Sequence, residues 1–216
     1  MPTRRRLGGS TPRVSLMSFV EYISAGSSGR LDCIRRQIVA YETPYKPGAA
    51  FYQDFTDALI AGRRAETDEL SLQRCVRNQS VPARKSHYDD LRRHWLAMPT
   101  IHLPFVPLDR ALWEPPGLVV GISPELGLQK PDGVTLVTKL WLKDKEPAPE
   151  AIRAMHWLLT HHMESLHPGG QAAVLDFRRE QLLLPTRRPY KKGYESWLVS
   201  EATGLAKLWN SLAKSA

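Results

Sequence analysis

Residues 117–145 read GLVVGISPELGLQKPDGVTLVTKLWLKDK, and this stretch decides the fold class because its hydrophobic period is two. Leu118, Val120 and Ile122 alternate with Val119, Gly121 and Ser123; Pro124 interrupts, and Glu125 to Leu128 resumes the extended pattern. Lys130-Pro131-Asp132-Gly133 fits a type I turn, with proline second and glycine fourth. Beyond it Val134, Leu136, Thr138, Leu140 and Leu142 share one face, and Thr135, Val137, Lys139 and Trp141 share the other. The pattern predicts a two-stranded hairpin with Glu125 and Lys139 on neighbouring strands and Asp132 in the turn.

Downstream, Lys143 to Pro149 reads as a charged loop, and Pro149 suits the first position of a helix carrying Ile152, Met155, Leu158, Leu159 and Met163. Gly169-Gly170 ends that element. Ala172 to Phe177 and Gln181 to Leu184 then read as a second hairpin joined by Arg178-Arg179-Glu180. A basic loop, Thr186 to Gly193, leads into a last helix with Trp197, Leu198, Leu205, Leu208, Trp209 and Leu212 at helical spacing.

Upstream the period is helical. Helices are expected over 15–25, over 31–41 after the Gly26-Ser27-Ser28-Gly29 turn, over 49–64, from an N-cap at Asp68, and from Pro82 to Ala97. Five prolines between Met98 and Pro116 exclude a long helix there and predict an extended connector, pinned by Trp113. The expected fold is therefore α+β: a flexible basic leader (1–13), an all-helical module (14–110), then a small mixed sheet of about four strands (111–216), in the order hairpin, helix, hairpin, helix.

The 216 residues carry 30 Lys/Arg against 22 Asp/Glu, a net charge of +8 with a pI near 9.7. That balance suits a nucleic-acid partner and equally a basic protein whose charge maintains solubility. No apolar run approaches the roughly 20 residues that span a bilayer, so a cytoplasmic protein with no membrane contact is expected. Cys33 and Cys75 lack metal or redox spacing and read as small apolar side chains. His156, His161, His162 and His167 fall within twelve residues, but His156 and His161 lie about 140° apart around a helix, so no metal site is expected.

The segments ISPELGLQ, VTLVTKLWLK, AVLDFRREQL and SEATGLAKLW, spanning about residues 117–212, resemble a small uncharacterised bacterial family of the same size and two-part layout. More remotely, helices followed by a hairpin, a helix and another strand is similar to the core order of PD-(D/E)XK nucleases. That resemblance implies a strand acid, a D/E-x-K on the next strand and bound Mg²⁺, with the lysine positioning the attacking water. Carried over to this chain, it singles out Glu125, Asp132, Lys139 and Asp176 as candidate catalytic residues. Val137 stands where the acid two residues before the lysine belongs. The structural alternative is a cross-strand Glu125–Lys139 ion pair.

The strongest binding candidate is Arg187-Arg188-Pro189-Tyr190-Lys191-Lys192-Gly193-Tyr194, with Arg178 and Arg179 on the preceding hairpin. Lysine and arginine neutralise phosphates, and interleaved tyrosines stack on unpaired bases. P-loop, GxGxxG, GxSxG and kinase signatures are absent. The working function is a non-catalytic DNA- or RNA-associated protein needing no cofactor. The alternatives are a Mg²⁺-dependent nuclease and a scaffold that binds a protein partner or a second copy through the Trp197/Trp209 helix.

Overall fold

The alternating stretch from 118 to 129 is two strands that belong to two different sheets. In the computed structural model of the chain, the residues described are 11–42, 51–186, 188 and 190–214. Their elements run β1 (Arg13–Ser15), α1 (Leu16–Ser24), α2 (Ser27–Glu42), α3 (Gln53–Ala65), α4 (Asp68–Asn78) and α5 (Pro82–Ala97). After a 3-10 turn (Pro99–His102) come β2 (Phe105–Val106), β3 (Ala111–Trp113), β4 (Val119–Ile122), β5 (Leu126–Gln129) and β6 (Thr135–Trp141). The remainder is α6 (Pro149–His161), α7 (Met163–Leu166), β7 (Gln171–Asp176), β8 (Gln181–Leu183) and α8 (Tyr194–Lys214).

The class is mixed α and β as expected, but the described helices are not confined to the first half, and the strands form sheets of three and five. Two expectations change with this. Arg13, assigned to a flexible leader, is the first residue of β1, while residues 1–10 lie outside the described residues. Gly29 and its serine neighbours, read as a turn, lie within the first turn of α2.

The chain divides into two compact units: one formed by Met1–Pro44, Ala111–Ile122 and Thr186–Ala216, the other by Tyr45–Arg110 and Ser123–Pro185. The position near 110 is thus one of four crossings, and the segment 14–110 contributes to both units. Pro124 follows another crossing. It has no N–H to extend a ladder, and strand pairing starts anew at Glu125, whose N–H donates to the Thr138 carbonyl at 3.0 Å.

In the first unit β4 is central, pairing in parallel with β1 and antiparallel with β3. Ser15 ends β1 and caps α1, its hydroxyl accepting from the Ser18 N–H at 3.1 Å. Leu16, Phe19, Val20 and Ile23 of α1 are buried, and Phe19 meets the edge of Trp113 at 5.5 Å, so Trp113 does anchor its segment. Arg30 of α2 pairs with Glu201 of α8 at 2.9 Å and covers the Tyr22 ring. These contacts join three sequence-distant segments.

In the second unit the strand order is β2-β5-β6-β7-β8, all antiparallel except β6 with β7. One face, carrying Leu126, Leu128, Leu136, Leu140, Ala173 and Leu175, packs on Phe55, Leu59, Leu72, Tyr88, Leu91 and Trp95 of α3–α5. The other face receives the α6–α7 crossover: a Cβ placed on Gly170 would meet Val137 Cγ2 at 2.8 Å and Met163 Sδ at 2.9 Å. Both faces of β6 are therefore covered and all seven of its residues are buried, including Thr135, Lys139 and Trp141. The turn at 130–133 forms as expected: Gly133 has φ +84°, and its N–H donates to the Lys130 carbonyl at 2.9 Å. At the edge, Gly127 lies so close to the Val106 carbonyl that a side chain there would collide with backbone. Among the described residues no helix is long and apolar enough to cross a membrane.

Candidate functional site

Lys139 and Glu125 meet at the end of the β5–β6 ladder remote from the turn. Leu126 pairs with Thr138, so the residues one step outward, Glu125 and Lys139, oppose each other on the same face. Lys139 Nζ contacts Glu125 Oε1 and also donates to the Ser123 carbonyl at 3.0 Å. Glu125 Oε2 accepts the Leu140 N–H at 2.9 Å. Lys139 is only 6% exposed. Both carboxylate oxygens and the ammonium therefore have internal partners, which is the cross-strand pair in its full form.

The other two candidate acids do not join this pair. Asp132 lies in the turn at the opposite end of the hairpin, roughly 13 Å or more along the strands. Its carboxylate binds Lys130 Nζ at 2.9 Å and the Val134 N–H at 3.0 Å, and both hydrogen bonds hold its pKa below the ordinary aspartate value. That is a turn-stabilising role. Asp176 closes β7 beside Trp141 and is 1% exposed. Arg179 clasps it at 3.0 Å. Among the described residues, no three His, Cys, Asp or Glu side chains are placed to hold a metal ion.

Arg178 and Arg179, read from sequence as phosphate contacts, are both engaged within the second unit. Arg179 donates to Asp176 and, at 2.8 Å, to the Asp144 carbonyl. Arg178 contacts Asp90, lies 3.0 Å from Asp144 Oδ1, and sets one guanidinium nitrogen against the His87 ring. Burial, and then the charge of Arg178, push the His87 pKa down. Next to them His94 meets Glu180 at 2.8 Å. The second hairpin is thereby fastened to α5. His156 is 4% exposed and bonds the Leu183 carbonyl at 2.9 Å, and burial lowers its pKa.

The basic loop belongs to the first unit. Arg187 and Pro189 lie outside the described residues. Arg188, Lys191 and Lys192 are exposed and form no ion pair among the described residues. Beside them runs an aromatic ladder: Tyr190 and Tyr194 have centroids 4.9 Å apart, and Tyr194 and Trp197 5.3 Å. Gly193, at φ +89°, turns the chain into α8. Charge is concentrated in the same unit, whose segments hold 13 Lys/Arg and 6 Asp/Glu, against 17 and 16 in the second unit. Of the net +8, the first unit holds +7.

Sequence reasoning missed one buried polar network. Asp68, expected to cap a helix, is instead the first residue of α4, and it accepts from Arg63 at 2.7 Å and from the Trp95 indole at 3.0 Å. Arg63 further donates to the Ile101 and Leu103 carbonyls. The five-residue spacing of Arg63 and Asp68 across a helix–helix corner was the only local signal; Trp95 and Ile101 come from tertiary packing. No protein-family model, no curated protein and no solved structure matches this chain.

Proposed function

We propose that the protein binds nucleic acid without cutting it, through the loop that precedes α8. The observation that carries this reading is the concentration of +7 of the charge in the unit bearing exposed Arg188, Lys191 and Lys192 beside the Tyr190–Tyr194–Trp197 ladder. Cations beside aromatic rings, here tilted against one another, suit an unpaired strand, whose phosphates need neutralising and whose bases offer flat faces.

The non-cleaving part rests on the Glu125–Lys139 pair. The order in the second unit, antiparallel β2, β5 and β6 followed by a helix and parallel β7, is similar to the core order of PD-(D/E)XK nucleases, with Glu125 just before β5 and Lys139 on β6. Their Mg²⁺ does not fit the side chains present. Val137 is fully buried where the second carboxylate belongs, and both oxygens of Glu125 are occupied. We read the unit as a catalytically silent relative of that arrangement.

The test is fluorescence anisotropy with labelled single-stranded DNA and RNA at two salt concentrations, with and without Mg²⁺. Binding is expected to weaken with salt. Alanine at Arg187, Arg188, Lys191 and Lys192 is expected to lower the slope by about 0.7 for each phosphate that is no longer neutralised. The oligonucleotide stays intact in Mg²⁺. Absence of binding at low salt, or binding unchanged in the quadruple variant, rejects the assignment.

A further inference from the structure

The second unit holds a cavity of about 500 Å³ where the end of α3 meets the start of α4, lined by Arg63, Arg64, Glu66, Asp68, His102 and Phe105 among others. Arg63 and Asp68 are more than nine-tenths buried. Their mutual contact, the Trp95 indole and the two backbone carbonyls use most of their hydrogen-bonding capacity. One acceptor, Asp68 Oδ1, and one donor, Arg63 Nε, are left shielded from solvent with no partner among the described residues. Buried polar atoms are nearly always satisfied. The wall behind this cavity is therefore polar, which suits an occupant carrying both a donor and an acceptor.

The rest of the wall narrows its class. Arg64 is exposed, with its guanidinium 5.9 Å over the Phe105 ring, so a flat cation backed by an aromatic ring faces the opening. Guanidinium planes of this kind stack on heterocycles. His102 also lines an adjoining cavity of about 390 Å³ that continues to Lys130 and Gly133, which adds donors for an anionic group along the same groove. Glu66 on the rim disfavours a simple anion and favours a ligand carrying donors as well as acceptors.

We propose that this cavity takes one nucleotide. Its base stacks on Arg64 with its polar edge turned toward the Arg63–Asp68 pair, and its phosphate lies toward His102 and Lys130. The nucleotide comes either free or as the terminal residue of a strand. The site belongs to the other unit from the basic loop and does not depend on it.

The experiment is a ¹⁵N–¹H NMR titration of the full chain with AMP, GMP, UMP and inorganic phosphate, and separately with short oligonucleotides with and without a 5′-phosphate. A mononucleotide that saturates, with shifts centred on residues 63–68 and 101–105, identifies a free nucleotide as ligand. Shifts there from the 5′-phosphorylated oligonucleotide alone identify a strand end. In either case Arg64→Ala and Phe105→Ala weaken binding about tenfold. Arg64 is exposed, so its variant retains the fold. The proposal is overturned if no ligand shifts these residues at about 5 mM, an affinity near the weak limit of specific recognition. Equal shifts from phosphate alone, or binding unchanged in both variants, overturn it as well.

Discussion

Lys139 is a nearly buried cation held by the oxygens of Glu125 and Ser123. Removing one member of such a pair strands the other in a poorly solvated place, whereas removing both together costs much less. Lys139→Ala is therefore expected to lower unfolding stability in urea by about 3 kcal/mol, and Lys139→Met with Glu125→Gln by clearly less. Single variants with unchanged stability would mean the pair is poised for chemistry instead of structure. The contact itself was legible, because strict alternation on either side of a Pro-Asp-Gly turn puts residues 125 and 139 opposite one another. The guanidinium partners were not: nothing local to Arg178 announces Asp90 or His87, which lie on a helix some ninety residues earlier.

At the scale of elements, α6 is tied to β8 by His156, whose ring donates from Nε2 to the Leu183 carbonyl. Burial depresses the pKa of His156 in the folded protein, so below the unfolded value near 6.5 the unfolded chain binds a proton that the native one refuses. Its contribution is complete above that pH and is lost as pH falls. His87 and His162, also depressed by burial, act in the same direction. Urea unfolding between pH 7.5 and 5 should show stability falling with acid. His156→Gln, which keeps a donor for the carbonyl, should flatten that fall by up to about 1.4 kcal/mol per pH unit. Helix periodicity showed α3, α5, α6 and α8 well from sequence, since each carries a continuous apolar stripe. It could not show that β4 and β5 part company at Pro124, because an interrupted strand and two strands in different sheets have the same alternation. The three residues of β1 are too few to register as a period, and β6 misled because covering both faces removes the polar side that alternation looks for.

At the scale of the molecule, the helical first half expected from sequence is replaced by two interleaved units. The first needs β1 and α1 from the start of the sequence, β3 and β4 from its middle and α8 from its last thirty residues. A fragment comprising residues 111–216, the module suggested by composition alone, lacks α1–α5 and with them half of both cores. It should show no cooperative thermal transition by circular dichroism, whereas the full chain should. A cooperative transition in that fragment would contradict the interleaved arrangement. Composition hid this because the proline-rich connector at 98–116 looks like a boundary whether the chain crosses there once or is only midway through four crossings.

The position of α8 also sets a timetable. During synthesis every segment of the second unit has left the ribosome once residue 185 is out, while the first unit still waits for a helix that comes after it. At rates of about 5–20 residues per second the interval is a few seconds. Through that interval the sides of α1 and α2 that pack on α8 stay uncovered. α8 closes the unit to which β1 and α1, some 180 residues earlier, already belong.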